Sequence, residues 1–351
     1  MSRTTIPNSK YLGTIQLSMP PHPSAFADAW ILTGPTGSGK SGLALELAER
    51  ANAEIIALDS MTLYRGMDIG TAKPSRADQA RVRHHLIDVL DPWESANVAW
   101  WLERAAEACR DICSRGKKPL FVGGTPFYLK ALLCGLFDSP PVDPAIRARL
   151  EAEAEEIGKA ALHEKLRCVD AKTAARLHPN DVRRVVRALE VFELTGQPIS
   201  SFQRSWDNPS FADPLKPTPA PAKIPCVVLE WPREVLYHRI NIRVEAMMKD
   251  GWLAEVEQLL LLFKPMSQEA AQALGYRELA AVLRGELSRE TALETIQLRT
   301  RQFAKRQLTW FRSLPNCLAC PVNQSECSSQ LVKQLLATFS TLDSDKNQNL
   351  V

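Results

Sequence analysis

The stretch Trp30–Ser41, WILTGPTGSGKS, constrains the fold of this chain more than any other part of its sequence. The apolar run Trp30–Thr33 predicts a buried strand, the next residues fit the pattern G-x-x-x-x-G-K-[ST], and an amphipathic pattern after Ser41 predicts a helix. A strand, a glycine-rich loop and a helix in this order are typical of a phosphate-binding loop, in which backbone N–H groups and the helix N-terminus face an anion. We therefore expect eight residues to bind a phosphate or diphosphate group: Gly34, Pro35, Thr36, Gly37, Ser38, Gly39, Lys40 and Ser41.

Two side chains of this loop carry additional chemistry. Lys40 can reach the terminal phosphate of a ligand, and the Ser41 hydroxyl can hold a Mg²⁺ ion. The pattern specifies neither the molecule that carries the phosphates nor whether a phosphate is transferred. A glycine-rich turn that merely begins a helix is the alternative.

Composition sets only broad limits. The 351 residues are 45% apolar and 24% charged, which is typical of a globular protein with two domains or with one domain and a large insertion. The net charge of +3 is weak support for a nucleic-acid partner. No apolar run reaches 18 residues, so we expect no membrane-spanning segment.

The N-terminus and the cysteines bear on cellular location. Met1–Ala29 lacks the apolar core of a secretory signal and predicts a disordered leader, with an organelle transit peptide as the alternative. Most of the eight cysteines lie in apolar patterns, as reduced residues do, and favour a cytoplasmic protein. Cys317, Cys320 and Cys327 have no nearby fourth ligand for a structural zinc, which favours an incidental cluster.

Short apolar runs that alternate with helical patterns predict an α/β fold, a parallel sheet flanked by helices. The predicted strands are Trp30–Thr33, Glu54–Leu58, His84–Leu90, Leu120–Val122 and Ile224–Leu229. Ligands of such sheets bind beyond the carboxyl ends of the strands. Three candidate segments follow strands in this way: the phosphate-binding loop, Asp59-Ser60 and Gly123-Gly124-Thr125.

The remaining patterns suggest the domain organisation. Residues 30–139 and 223–315 form the predicted catalytic core, residues 140–222 a helical insertion, and residues 316–351 a C-terminal tail that is polar and frayed from residue 328. The segment Met61–Pro74 has turn signals and no periodicity, which predicts a loop, and Asp207–Lys223 is a Pro-rich connection.

A single long helix is predicted for Glu286–Ser313. Arg301, Lys305 and Arg312 share one of its faces, while Phe303 and Trp310 lie on the opposite side, suited to packing. The basic face suits a nucleic-acid contact, and a merely solvated face is the alternative.

A nucleoside-triphosphate-using kinase or NTPase is the obvious interpretation of the loop. Such enzymes usually bind Mg²⁺ with an acidic residue at the end of a strand beside the loop, whereas here the fourth strand ends in Val122-Gly123-Gly124. Asp59 then becomes the leading carboxylate near the phosphates and a candidate general base. The alternatives for Asp59 are a turn cap or an indirect Mg²⁺ ligand.

Six blocks occur in one order along the chain: GPTGSGKS, DSMTLYRGMDIGTAKP, LFVGGTPFYLKALLCGL, HPNDVRRVVRALEVFELTG, LGYRE and KRQLTWFR. Together they closely resemble the tRNA dimethylallyltransferases, also called tRNA isopentenyltransferases. The resemblance runs from about Trp30 to about Arg312. The related adenylate isopentenyltransferases, which prenylate free nucleotides, share the first blocks and little of the later ones.

The resemblance implies a P-loop NTPase-like fold and a specific reaction. The loop would hold the diphosphate of dimethylallyl diphosphate rather than ATP, together with Mg²⁺. The dimethylallyl group would pass to the exocyclic N6 amine of the adenosine on the 3′ side of the anticodon, flipped out of the anticodon loop. Asp59 matches the family's general base, Thr125 a threonine near the reacting centre, and Arg243 an arginine that binds diphosphate.

The resemblance also implies that the protein, which we expect to be a monomer, binds the anticodon stem-loop of tRNA. The positions matching tRNA contacts are Asp59, Ser60, Met61, Thr62, Thr125, Arg147, Arg183, Arg184, Val185, Val186, Arg187, Lys305 and Arg306. Met61-Thr62 and Gln272 depart from the family pattern, which places the RNA contacts there in question. The alternative for the insertion arginines is pairing with Asp181 and Glu190, which would only stabilise the insertion.

Overall fold

Six parallel strands form the central sheet of this computed structural model, which describes residues 23–136, 140, 142–202, 223–323 and 327–348. In chain order the strands are β1 (Trp30–Thr33), β2 (Ala53–Leu58), β3 (His84–His85), β4 (Lys118–Gly123), β5 (Cys226–Glu230) and β6 (Cys317–Pro321). Their order across the sheet is β3-β2-β4-β1-β5-β6. Strand β1 therefore lies in the interior of the sheet, where Ile31 pairs with Phe121 on one side and Cys226 on the other.

Helices cover both faces of the sheet and also form the insertion between β4 and β5. They are α1 (Lys40–Arg50), α2 (Arg76–Arg81), α3 (Val98–Ser114), α4 (Pro126–Cys134), α5 (Pro144–Ile157), α6 (Lys159–Val169), α7 (Ala171–Ala174), α8 (Val182–Thr195), α9 (Ile199–Phe202), α10 (Arg233–Lys249), α11 (Trp252–Leu260), α12 (Gln268–Ala271), α13 (Tyr276–Leu283), α14 (Arg289–Ser313) and α15 (Ser328–Gln348). Among the described residues, no helix has both the length and the apolar character needed to cross a bilayer.

The strands carry apolar residues at successive positions because both faces of the sheet are buried. Ile31 and Phe121 belong to a large core shared with α3 and α4, whereas their neighbours Leu32 and Leu120 belong to a second core shared with α1. Successive side chains of a strand point to opposite faces, so an uninterrupted apolar run is what a doubly covered strand requires. The predicted parallel α/β sheet is confirmed.

Residues of the predicted helical insertion form helices α5–α9 and a hydrophobic core of their own. Leu150 of α5, Leu166 of α6 and Val186 of α8 are each at most 2% exposed and contribute to this third core. The insertion thus supplies its own apolar interior. The Pro-rich connection at 207–222 lies outside the described residues.

Three local expectations are wrong. The predicted third strand His84–Leu90 is reduced to His84–His85, because Leu86 and Asp88 adopt positive φ angles of 61° and 54° and turn the chain. The predicted disordered leader includes Phe26, which is fully buried and packs edge-on against Phe121 at 5.8 Å between ring centroids. Residues 1–22 of that leader lie outside the described residues.

The third correction concerns the C-terminus, where a frayed polar segment was expected. Residues Cys317–Pro321 add the edge strand β6, and α15 docks on the core beside α1. The Trp30 indole stacks on Phe339 at 4.8 Å, and its N–H donates to the Asp343 carboxylate at 2.7 Å. The apolar positions of α15 recur three or four residues apart but are separated by Lys, Gln, Thr and Ser, so the overall composition of the segment does not show its buried face.

Replacing Phe339 by alanine tests the docking of α15. Removing a fully buried ring that stacks on Trp30 should lower the free energy of unfolding by about 3–5 kcal/mol, because the cavity cannot close completely. Urea denaturation measures this loss, with Ser340→Ala on the exposed side of α15 as the matched control. Equal stability of the two variants would show that α15 does not contribute to the core.

Candidate active site

The phosphate-binding loop leaves the end of β1 and leads into α1 as the sequence predicts. Gly37 and Gly39 have φ angles of 81° and 82°, which glycine adopts without strain. Two side chains from the segment after β5 hold the loop by its carbonyl groups. Trp231 donates its indole N–H to the Ser38 oxygen, and Arg239 donates its Nε–H to the Gly37 oxygen, both at 2.9 Å. The loop is therefore fixed by the protein itself.

A cavity of about 1220 Å³ opens beyond the carboxyl ends of the strands. It brings together many of the predicted site residues, which come from six separate segments of the chain. Those that line it are Thr36, Lys40, Ser41, Asp59, Ser60, Met61, Thr62, Thr125, Arg183, Arg243 and Arg306. Gln272, at the second departure from the family pattern, lines it too.

Asp59 follows β2 and is oriented by its own backbone. Its Oδ1 accepts the N–H of Met61 at 2.8 Å. Thr125, in the turn after β4, reaches the same segment, since its hydroxyl accepts the Ser60 N–H at 3.2 Å. The close approach of β2 and β4 requires a glycine at 123, where a Cβ atom would lie 2.0 Å from the Leu58 oxygen. The structure thus places Asp59 and Thr125 side by side.

Lys40, Asp59 and Arg243 interact electrostatically within the cavity. Burial, and next the positive charge of Arg243, lower the pKa of Lys40 to about 8, which the charge of Asp59 opposes. Burial raises the pKa of Asp59, while the Met61 N–H and the Lys40 charge act against this. Burial likewise lowers the pKa of Arg243. Two cations facing one carboxylate leave the site short of negative charge, as an anion-binding site requires.

The long helix α14 forms another wall of the cavity, and its predicted extent is confirmed within a few residues. The expected packing side is wrong, because Phe303 lines the cavity, with the Arg306 guanidinium 5.9 Å from its ring. The core-facing residues are Ala292, Ile296, Thr300, Ala304, Gln307 and Phe311. Lys305 is exposed and lies outside the cavity lining.

Gln307 is a site residue that the sequence analysis missed. Its Oε1 accepts the Thr36 N–H at 2.9 Å, and its Nε2 donates to the Gly124 oxygen at 2.6 Å. The available signal was a polar residue within the apolar stripe of a helix, three residues after Ala304 and four before Phe311.

The predicted loop Met61–Pro74 has no helix or regular strand, but it is firmly held. The Glu255 carboxylate accepts the consecutive N–H groups of Asp68, Ile69 and Gly70 at 2.7–3.1 Å, and also the Tyr276 hydroxyl at 2.7 Å. Glu255 therefore joins this loop to the LGYRE block. No sequence signal singled out Glu255, because its partners are distant in the chain.

Trp252 reinforces the same junction. A Cβ atom at either Gly70 or Gly275 would lie 2.1 Å from its indole ring. Both glycines are therefore required for the ring to fit between the loop and the start of α13. The sequence analysis did not identify Trp252 either.

The arginines of the insertion have different environments. Arg147 and Arg187 pair with the fully buried Glu190 at 2.8 and 2.7 Å, and Arg184 pairs with Asp181 at 2.9 Å. Val185 and Val186 are 1% exposed within the core of the insertion. Arg183 is exposed and lines the cavity. Only Arg183 of this group is thus placed at the candidate site, while Arg147, Arg184 and Arg187 make the alternative ion pairs.

The protein is a P-loop NTPase-like α/β protein, as defined by the parallel sheet and the glycine loop between β1 and α1. The basic cavity beyond the strand ends is suited to an anion. The chain belongs to the IPP transferase family. A family model with that description matches residues 62–314, and one described as isopentenyl transferase matches residues 27–89.

Relatives and solved structures agree with this assignment. The chain is 48% identical over 282 residues to a tRNA dimethylallyltransferase of Geobacter metallireducens, which covers 80% of this chain and 88% of the relative. It resembles the crystal structure of a tRNA isopentenylpyrophosphate transferase from Bacillus halodurans, with a TM-score of 0.63, 35% identity and coverage of 91% and 99%. A eukaryotic dimethylallyltransferase acting on tRNA gives a TM-score of 0.67 at 26% identity, with coverage of 88% and 79%. The family resemblance predicted from the sequence blocks is confirmed.

The lowered pKa of Lys40 predicts a pH dependence of diphosphate binding. The ammonium form must bind the anion, so above about pH 8 each binding event must take up a proton. Affinity for dimethylallyl diphosphate should then fall by up to about tenfold per pH unit. The ligand itself does not change this slope, because a phosphate group with a second pKa of about 6 is already fully ionised above about pH 8.

Isothermal titration at pH values on both sides of 8, in buffers of different ionisation enthalpy, measures the affinity and the proton uptake. Lys40→Arg keeps its charge over this range, so its affinity, whatever its absolute value, should not change with pH. Equal affinities of the unmodified protein at neutral and alkaline pH would contradict the assignment of Lys40 to the anion.

Proposed function

We propose that this protein transfers the dimethylallyl group of dimethylallyl diphosphate to the N6 amine of the adenosine on the 3′ side of the anticodon in tRNA. The observation that carries this proposal is the cavity in which a carboxylate, Asp59, lies among Lys40, Arg243 and the phosphate-binding loop. Relatives named tRNA dimethylallyltransferase support the acceptor and the transferred group.

The donor's diphosphate is assigned to the cationic part of the cavity. Lys40 and Arg243 offset its charge, and the N-terminus of α1 adds the partial positive charge of its backbone N–H groups. No acidic residue ends β4, the strand beside the loop, which favours a diphosphate ester over a nucleoside triphosphate as the ligand.

A Mg²⁺ ion fits the same end of the cavity. Ser41 is exposed at the start of α1 and lines the cavity next to Lys40, so its hydroxyl would be the protein ligand. Mg²⁺ binds oxygen ligands, keeps several waters and is commonly shared with substrate phosphates, which suits a site with a single protein hydroxyl. When bound, the ion would neutralise charge that develops on the leaving diphosphate.

The reaction needs one bond to form and one to break. The adenosine amine attacks the first carbon of the dimethylallyl group, and the bond from that carbon to the diphosphate oxygen breaks, its electron pair leaving with the diphosphate. The amine loses one proton, which Asp59 accepts. Burial raises the pKa of Asp59 toward the working pH and so improves it as a base, while Lys40 and Arg243 stabilise the leaving charge.

The acceptor side of the cavity is suited to single-stranded RNA. Arg183, Arg277 and Arg306 line it, as does Phe303, whose ring lies 5.9 Å from the Arg306 guanidinium. This combination offers phosphate contacts and a surface for stacking. An adenine in a duplex could not enter such a site, whereas a base of the anticodon loop can be flipped out at modest cost. We also propose that the protein acts as a monomer.

The proposal is tested with radiolabelled dimethylallyl diphosphate and Mg²⁺, with tRNA, AMP and ATP as separate acceptors. Label should enter tRNA, and Asp59→Asn should reduce kcat by roughly 10²–10⁴-fold at nearly unchanged tRNA affinity, because the amide keeps the shape but accepts no proton. Transfer to AMP or ATP instead of tRNA, or phosphorylation by ATP without prenyl transfer, would refute the proposal. An Asp59→Asn protein with full kcat would assign the proton to another group.

The insertion arginines give a second test, because the structure separates Arg183 from Arg187. Arg183→Ala should weaken tRNA binding and reduce the slope of log K against log[salt] by about 0.7 to 0.9, with little change in melting temperature. Arg187→Ala removes a partner of the buried Glu190 and should cost about 1–3 kcal/mol of stability. The reverse pattern, with Arg183→Ala destabilising the fold at unchanged tRNA affinity, would assign Arg183 to structure.

A further inference from the structure

Gln307 connects two loops at the donor end of the cavity. The residue is 2% exposed, and both ends of its amide are engaged, by the Thr36 N–H of the phosphate-binding loop and by the Gly124 oxygen after β4. A side-chain amide is suited to this bridge because it carries one acceptor and one donor group at a fixed separation. Loss of the second contact would remove this donor from the oxygen of the buried Gly124.

The bridge continues to the candidate base through the next residue of the turn. Thr125 follows Gly124, its hydroxyl accepts the Ser60 N–H at 3.2 Å, and Ser60 follows Asp59. The phosphate-binding loop and Asp59 are thus joined through Gln307 by three side-chain hydrogen bonds and adjoining residues. The bridge is tight, since a Cβ atom at Gly124 would lie 2.6 Å from the Gln307 Nε2.

The helix that carries Gln307 also faces the acceptor. Phe303, one turn before it, and the adjacent Arg306 both line the cavity. Gln307 therefore lies where the donor loop, the base-bearing segment and the proposed RNA-facing wall come together.

We propose that Gln307 is a positioning residue that sets the distance between the leaving diphosphate and Asp59. This inference rests on the proposed function. Gln307 forms hydrogen bonds to the two loops, whereas the reaction itself involves Asp59 and the ligands. A displacement of about 1 Å in a reacting geometry can reduce a rate by about 10²-fold, so a bridge of this kind controls catalysis without touching the reacting atoms.

Gln307→Met tests the bridge because methionine has a similar length and shape but forms neither hydrogen bond. We expect kcat to fall by about 10- to 100-fold and the affinity for dimethylallyl diphosphate, measured without tRNA, to fall by about tenfold. The KM for tRNA should stay within about twofold, since the RNA-facing side chains are unchanged. Gln297→Met is the matched control. Gln297 lies on the same helix as Gln307, but its hydrogen bonds go to Asn241 and Glu245 and to neither loop.

Gln307→Glu separates hydrogen bonding from packing. The ionised carboxylate can accept the Thr36 N–H but cannot donate to the Gly124 oxygen, whereas the protonated form can do both. The kcat of this variant relative to the unmodified protein should therefore rise as the pH is lowered from about 8 to about 6, because burial raises the pKa of the new carboxyl. Gln307→Met has no titrating group at this position and should show no such rise.

Three results would overturn the inference. They are unchanged kcat and donor affinity in Gln307→Met, losses no larger than those of Gln297→Met, and a fall in activity that only follows a lowered melting temperature. Failure of the proposed function is distinct, because the unmodified protein would then transfer no label to tRNA. The donor affinity of Gln307→Met measured without tRNA would still decide whether the bridge positions the loop.

Discussion

Lys40, Arg243 and Asp59 share one cavity at half-buried positions, and much of the surrounding structure holds these three charges in place. Without a ligand, burial and then the charge of Arg243 disfavour the ionised form of Lys40 and lower its pKa, while burial lowers the pKa of Arg243. Such an arrangement is costly in the free protein and becomes favourable when an anion enters. The fold therefore has to hold these side chains in place against repulsion. The elements that do so are the phosphate-binding loop, the closely spaced strands β2 and β4, and helix α10.

Rigid support for the site comes from elements distant in sequence. Glu255 fixes three consecutive N–H groups of the loop after Asp59, and Lys73 fixes the other end of that loop through Asp68 and Asp88. The loop has no regular secondary structure, yet its backbone groups are satisfied by buried or half-buried side chains. It can thus present Asp59 in a defined orientation without being part of a helix or strand.

Local patterns in the sequence were sufficient for the parts of the site that belong to single segments. The strand, loop and helix around Lys40 have a fixed spacing, and the ends of parallel strands meet at one edge, so the positions of Asp59 and Thr125 were predictable. Arg243 lies mid-helix with no distinguishing spacing, and only the family resemblance identified it. Gln307, Glu255 and Trp252 act through partners far away in the chain. A periodic pattern within one segment cannot predict contacts between such distant residues. The docking of α15 was missed for a related reason, since its partner Trp30 lies some three hundred residues earlier.

The position of β1 has a consequence for how the chain folds during its synthesis. Strand β1 is made first, but its neighbours are β4 and β5, and the ring that covers Trp30 belongs to the last helix. Contacts of such large sequence separation form slowly and leave apolar surface uncovered in the meantime. The insertion has its own core, so it can fold before β5 is available to pair with β1. We therefore expect the N-terminal strand and the phosphate-binding loop to be among the last parts to reach their final environment, although β4 and α1 can cover part of β1 earlier.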